Sequence, residues 1–251
     1  MVDHQWVVAI SKEAGKAILQ HYDDEIDVEI KEDLSPLTKA DLASHHVIID
    51  SLRKRTSETP IISEESGIPG YDERKDWEQY WLVDPLDGTK EFIKKNGEFT
   101  VNIALIQKNE PVFGVVHIPA KEVTYVGQKG KGSFKLNGQG EMEPIHSEVP
   151  DLSQAMKVVA SRSHGSSDLE ERLHELGVKV GETVPAGSSL KFCLVADGTA
   201  DIYPRFGPTM EWDTAAGDAV YRFSGKEQER HSPIRYNKPD MRNKGFVIGL
   251  K

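Results

Sequence analysis

The sequence predicts a layered α/β fold of two packed lobes, and three observations carry that prediction. Its 251 residues are long for one domain but within the range of a single layered unit that buries a sizeable core. The hydrophobic period is helical at first and becomes strand-like from about residue 80, and from about residue 155 strands and helices alternate. No fixed-period repeat or low-complexity block breaks the pattern, and Gly and Pro fall between periodic segments. The first lobe is read as residues 1–150 and the second as 151–251, together forming one domain.

The elements follow in order. Trp6, Val7, Ile10, Ala14, Ala17 and Ile18 recur at helical spacing, with Asp3 as the expected cap, and a second, less regular helix runs over 42–55 after Thr38. Residues 80–83, 100–107, 112–118 and 123–127 are rich in β-branched and aromatic side chains with turn signals between them, which predicts a mostly antiparallel sheet. Asn137-Gly138 marks another turn. In the second lobe we expect strands over 157–160, 200–203 and 245–250 and helices over 168–176, 190–196 and 213–223. Residues 225–244, polar, charged and Pro-containing, read as a partly mobile loop.

Charge and composition narrow the function. With 41 acidic and 31 basic residues the formal charge is −10, which disfavours long-range attraction to nucleic-acid polymers or anionic lipid. An anionic substrate then has to be captured by a local cluster or a metal. MVDHQWVVAISKEAGKAIL contains neither a basic leader nor an apolar stretch long enough for a signal or a membrane span. Cys193 is the only cysteine and has no partner for an internal disulfide. These features lead us to expect a cytoplasmic protein with no integral membrane segment; peripheral contact with the inner face of the membrane and the oligomeric state stay open.

The stretch WLVDPLDGTKEF, residues 81–92, carries the chemistry. Trp81, Leu82 and Val83 lead as a buried strand into Asp84, and Pro85 prevents an ordinary ladder from continuing. Asp84 and Asp87 leave the sheet together, and Gly88 and Thr89 open a short helix over 89–95 whose first N–H groups favour an anion. Carboxylates beside an anion site are reconciled by a cation between them. Oxygen ligands favour Mg²⁺, which completes its coordination with phosphate and water, so the inferred ligand is a phosphate ester. An isolated Asp-Gly is as readily a turn or a cap. Two further acidic segments favour the metal: ISEES, residues 62–66, which contains Glu64 and Glu65, and EWDTAAG, residues 211–217, which places Asp213 at a helix start. Several carboxylates within about 4 Å repel by ~4 kcal/mol per pair at an effective dielectric near 20, and divalent cations let them coexist with phosphate.

Those three segments resemble the signatures of the lithium-sensitive, magnesium-dependent phosphatase superfamily that includes inositol monophosphatase and fructose-1,6-bisphosphatase, in matching order over nearly the whole chain. SPLTKAD, DPLDGTKEFIKKNGEFTVNIALI, SRSH, GSSLKFCLVADG and YPRFGPTMEWDTAAG are more similar to the bacterial 3′(2′),5′-bisphosphate nucleotidases within it. The resemblance implies an α/β/α/β/α sandwich and removal of the 3′-phosphate of adenosine 3′,5′-bisphosphate, a by-product of sulfate assimilation, to leave AMP. It further implies two or three Mg²⁺ ions held by Glu64, Asp84, Asp87, Asp213 and the Leu86 carbonyl, with Glu65 assisting from behind these ligands. Asp41 would accept a hydrogen bond from Thr89, whose hydroxyl orients and helps deprotonate the attacking water. Thr38 and Asp41 also form a capping-box pattern, and helix initiation alone is sufficient to explain them. Lys90 and Glu91 read as surface residues of the short helix.

Substrate choice is expected from the second lobe. Ser188 and Lys191 at a helix start, Arg205 at the end of ADIYPR, and His164 with Ser161 and Ser163 after KVVAS form a set that can bind the spectator 5′-phosphate, together with Gly88 and Thr89 near the metals. Taken singly, each is an ordinary surface or capping residue. The resemblance supports Lys191 and Arg205 more strongly than His164. Phe192 and Cys193 read as core. Two rivals remain open at this stage, a phosphatase of inositol or sugar phosphates and a non-catalytic nucleotide-sensing protein.

Overall fold

The computed structural model describes residues 3–22, 28–30, 36–161, 169–226 and 228–250. Helices α1 (Gln5–Leu19) and α2 (Lys39–Arg55) flank a short hairpin of β1 (Val28–Ile30) and β2 (Pro36–Thr38). A seven-stranded sheet follows in sequential order: β3 (Ile61–Ser63), β4 (Gln79–Asp87), β5 (Thr100–Gln107), β6 (Glu110–Ile118), β7 (Val123–Gln128), β8 (Gly132–Leu136) and β9 (Met142–Ile145). Within this sheet the β3–β4 pair is parallel and every other pair is antiparallel. The short helices α3 (Tyr71–Arg74) and α4 (Thr89–Ile93) stand before and after β4.

The central strands β4 to β7 are buried on both faces, which is why they read as apolar runs without polar alternation. Along β4, Trp81 and Val83 face Val7, Ile10, Ala14 and Ile18 of α1 and Ile48 and Leu52 of α2, whereas Tyr80 and Leu82 face the other way. That second face packs on α6 (Leu190–Ala196) and α7 (Trp212–Arg222), where Phe192 and Cys193 take their expected core places. Helix α7 lies unusually close to the sheet. A side chain at Gly114 or Gly127 would meet the Ala216 or Ala219 carbonyl oxygen at 2.5 Å, so these glycines and the small residues of TAAGDA are what let the helix seat.

A smaller sheet covers the far side of α6 and α7. Strands β10 (Ala155–Ser161) and β11 (Lys179–Ala186) pair in parallel, a bridge from Val158 to Ile202 joins them to β12 (Tyr203–Arg205), and β12 pairs with β15 (Phe246–Ile248). Helix α5 (Leu169–Glu175) closes the outer face through Leu173 against Met156, Val158 and Ile202. A two-residue ribbon of β13 (Thr209–Met210) and β14 (Arg242–Asn243) sits before α7. The layers are α/β/α/β/α.

Three expectations change. Asp3 does not cap α1; its backbone N–H and carboxylate both bond to the Gln128 amide, at 2.8 and 2.7 Å, and tie the chain start to β7. The strand expected over 200–203 starts at Tyr203, because the N–H groups of Asp201 and Ile202 both turn to the Lys157 carbonyl. Within 225–244, Ile234, Tyr236 and Met241 join the core, Arg222 donates to the Ile234 carbonyl at 3.0 Å, and Tyr236 donates to Asp218 at 2.9 Å. Residues 228–244 form an anchored strap whose polarity serves buried hydrogen bonds.

Candidate active site

Strand β4 supplies the centre. Asp84 pairs with Asn102 and the next pair is Asp87 with Thr100, so Pro85 and Leu86 bulge from the ladder where proline has no N–H to give. The bulge is tied from two sides. Ser44 of α2 donates to the Pro85 carbonyl at 2.7 Å, and the Leu86 N–H donates to Asp84 Oδ1 at 3.1 Å. Gly88 then turns the chain into α4 with a φ of 89°, where a side chain would crowd Ser188 Cβ at 3.2 Å.

Two other segments close on this bulge. Glu64 follows β3 and its N–H donates to the Val83 carbonyl at 3.1 Å. Asp213 lies in the first turn of α7, with Oδ2 accepting from the Met210 N–H at 2.8 Å. One carboxylate oxygen from each of Glu64, Asp84 and Asp213 lies within 4.8 Å of the others. Asp87 stands beside them and accepts from Asn102 Nδ2 at 3.4 Å and, at the limit, from Thr100 Oγ1 at 3.5 Å. Burial, followed by Glu64, Asp87, Asp213 and Asp41, holds the Asp84 carboxyl well above the usual carboxylate range. Burial and then Asp87 do the same to Asp213. Asp87 is raised by burial but pulled back by Lys191, Ser189 and Asn102. Crowded hard oxygens with no thiolate or imidazole among them fit a divalent, oxygen-preferring cation of the Mg²⁺ type.

In TKAD, Asp41 uses its two oxygens separately, one for the Thr38 cap and one for Thr89. Oδ2 accepts from the Thr38 N–H at 2.8 Å and the Thr38 hydroxyl at 2.6 Å, as a cap. Oδ1 accepts from the Thr89 hydroxyl at 3.2 Å, which also stands 3.4 Å from the Leu86 carbonyl oxygen. Glu65 is half-buried, directly after Glu64.

Asp87, Gly88, Ser188, Lys191, Arg205 and Asp213 line one cleft of about 130 Å³, together with Ser161 and Tyr203. Lys191 is buried; its ammonium donates to the Ser188 carbonyl at 2.6 Å and lies 5.5 Å from the centre of the Tyr203 ring. Burial above all, with Arg205 adding repulsion and Asp87 opposing, pushes Lys191 down to about 8. Arg205 gives Nη2 to the Pro208 carbonyl at 3.3 Å, while its buried Nε has no hydrogen-bond partner among the described residues. Ser188 takes a φ of 42° and spends its hydroxyl on the Glu98 carbonyl at 2.7 Å. His164 and Ser163 lie outside the described residues. Glu91, expected at the surface, is buried and lines the same cleft, because α4 turns it inward beneath Gly88; Lys90 is exposed as expected.

The sequence reading missed several supports. Asn102 donates to Ser189 Oγ at 3.0 Å, and Ser189 donates to the Asp213 carbonyl at 2.7 Å, so one amide links the β4 bulge to α7. An asparagine inside the apolar run TVNIALI is the signal that marks it. Ser44 and His45, the latter 2.9 Å from Ser63 Oγ, sit on the Asp41 face of α2 with no comparable signal.

Known proteins resemble this chain in sequence and fold. The family model described as the inositol monophosphatase family matches residues 4–227. A protein of Escherichia coli K12 named 3′(2′),5′-bisphosphate nucleotidase CysQ is 47% identical over 249 residues, covering 97% of this chain and 98% of that one. The protein of the same name from Salmonella typhimurium is 50% identical over 216 residues, 85% of each chain. The crystal structure of CysQ from Bacteroides thetaiotaomicron, described as a bacterial member of the inositol monophosphatase family, superposes with a TM-score of 0.80 at 40% identity, over 97% of this chain and 95% of that one. The Thermotoga maritima IMPase shares the fold at a TM-score of 0.76 and 22% identity, over 98% and 92% of the two chains. The chain belongs to the inositol monophosphatase family.

Proposed function

We propose that this protein is a 3′(2′),5′-bisphosphate nucleotidase that hydrolyses the 3′-phosphate of adenosine 3′,5′-bisphosphate to AMP and phosphate. The observation that carries the reading is one cleft that sets Asp87 and Asp213, the latter a member of the carboxylate cluster with Glu64 and Asp84, against two cations, Lys191 and Arg205. A mono-phosphate needs only the carboxylate end. A substrate with a second phosphate uses both ends, and the relatives that match over nearly full length carry the name of that activity.

In this reading Glu64, Asp84, Asp87, Asp213 and the Leu86 carbonyl hold two or three Mg²⁺ ions, and Glu65 adds negative charge behind them. When bound, the ions supply neutralisation of the scissile phosphate, acidification of water and stabilisation of charge on the departing 3′ oxygen. The residues of the chain do the positioning. Thr89, whose hydroxyl already donates to Asp41 Oδ1, can take a proton from the attacking water as its own passes to Asp41. Asp41 is kept in place for this by the two Thr38 bonds on its other oxygen. Lys191 and Arg205 hold the 5′-phosphate by charge-assisted hydrogen bonds, and the otherwise unpartnered Arg205 Nε gains an acceptor.

The reaction disposes of a by-product of sulfate assimilation, which implies a cytoplasmic location. Among the described residues no helix is long and apolar enough to cross a membrane. The test is a phosphate-release panel with adenosine 3′,5′-bisphosphate, its sulfated analogue, inositol phosphate and fructose bisphosphate. Preference for the first supports the assignment, and preference for inositol phosphate or fructose bisphosphate rejects it.

A further inference from the structure

Residues 228–244 form the strap between α7 and β15, and their polar groups turn inward onto the start of α7. Glu211, two residues before Asp213, is fully buried, and its carboxylate accepts three bonds from the strap: Asn237 N–H at 2.8 Å, Lys238 N–H at 3.0 Å and Lys238 Nζ at 2.6 Å. Arg74 of α3 clamps the strap from the other side. It is also buried, and it donates to Asn237 Oδ1 at 2.8 Å and to the carbonyls of Lys238 and Pro239 at 2.7 and 3.0 Å. Asn237 adopts a left-handed φ of 57° and returns a bond from Nδ2 to the Arg74 carbonyl at 2.9 Å.

The network continues to the ligand helix. Lys238 Nζ donates to Asn243 Oδ1 at 2.9 Å, and Asn243 Nδ2 donates to Thr214 Oγ1 and to the Met210 carbonyl, each at 3.2 Å. Met210 in turn gives its N–H to Asp213 Oδ2 at 2.8 Å. The residues on either side of Asp213 are thus bonded to one lysine and its partners. An ion pair between the buried Glu211 and the half-buried Lys238, beside a cluster of like carboxylates, is a weak device for stability, since an apolar pair of similar volume avoids desolvating the carboxylate. What it supplies is direction: the donors hold the Glu211 carboxylate, the Met210 carbonyl and the Thr214 hydroxyl, before and after Asp213.

We propose that Lys238 and Glu211 are positioning residues that set Asp213 against Glu64 and Asp84 for cation binding. This inference rests on the reading of Asp213 as a metal ligand. The test measures Mn²⁺ binding by calorimetry on the full-length protein without substrate, alongside thermal unfolding. Lys238→Met should weaken Mn²⁺ binding ~10-fold or more at a temperature where circular dichroism shows it folded, the scale seen when a partner that orients a metal ligand is lost. Lys238→Arg, which keeps a charged donor, should recover most of that loss. Ile234→Val, which trims the strap's core anchor, should lower the Tm and leave Mn²⁺ affinity alone. If Lys238→Met fails to fold, Glu211→Gln takes its place with the same expectation. Unchanged affinity in the Lys238 or Glu211 variant, or a loss no larger than that of Ile234→Val, overturns the proposal. Asp213→Asn is the reference: if it keeps full Mn²⁺ affinity, the ligand reading of Asp213 fails first and takes the strap's role with it.

Discussion

The two ends of the cleft carry opposite charges and are assembled by different means. At the acidic end, carboxylates from β3, β4 and α7 converge on the rim of the large sheet, and burial with mutual repulsion raises Asp84 and Asp213 together. At the cationic end, α6 and β12 contribute one lysine and one arginine, and burial with Arg205 pushes Lys191 down to about 8. Each end alone is strained by its own like charges. Asp87 lies between them, drawn down by Lys191 while burial lifts it. The acidic end offers what any phosphate monoester needs, a cation cradle with a positioned hydroxyl. In the function proposed above, the cationic end is where this chain tells a bisphosphate from a monophosphate.

Breaking the acidic end should have the larger consequences. Asp84→Asn removes the most crowded carboxylate, and activity should fall on the order of 10³-fold or more with loss of metal binding, the several kcal/mol that a bound ion contributes to the transition state. Mn²⁺ calorimetry and initial rates read both effects. Chelation should abolish turnover in the wild type, Mg²⁺ should restore it, and excess Ca²⁺ should inhibit through its looser geometry. Thr89→Val comes next. It should lower kcat about 10²-fold or more, as expected of lost acid–base assistance, while metal affinity and KM hold steady. Equal losses of metal affinity in Thr89→Val and Asp84→Asn would make Thr89 part of the cradle.

The cationic end should show a smaller, pH-dependent signature. Lys191 is charged below about 8 and loses its proton as pH rises through that value. For the bisphosphate, kcat/KM, which reports the free enzyme, should therefore decline above about pH 8 by at most tenfold per unit. Lys191→Arg should remove that decline, because a guanidinium stays protonated. Adenosine 3′-monophosphate should show no such limb in either protein, which separates Lys191 from any titration common to both substrates.

The acidic end was legible in the sequence and much of the rest was not, for physical reasons. DPLDGT compresses a bulge, a turn glycine and two acids into six residues, so the local chemistry is written contiguously. The strand over 100–107 and the helix over 190–196 were read at their observed bounds, since both are apolar runs closed by clear turn signals. Strand β11 escaped notice because it is an exposed edge with only Ala186 buried, and apolar periodicity has nothing to report there. The strap was misread for a related reason. Tyr236, Asn237 and Lys238 are fixed through Asp218, Arg74 and Glu211, partners distant in sequence, and hydrogen-bonded burial leaves no hydrophobic period. Glu91 shows the same limit, as a polar side chain buried where it lines the cleft.

The most direct test of the division between the two ends is the ratio of kcat/KM for adenosine 3′,5′-bisphosphate to that for adenosine 3′-monophosphate, measured in wild type and Arg205→Gln. If Arg205 holds the 5′-phosphate, the variant loses ~1.5–3 kcal/mol on the bisphosphate, roughly 10- to 150-fold, and almost nothing on the monophosphate, so the ratio collapses towards one. Arg205→Lys should restore only part of it, for want of the bidentate fork. Equal losses on both substrates would contradict the account, because Arg205 would then serve the common catalytic centre or the fold, and the cleft would have no separate end for a second phosphate.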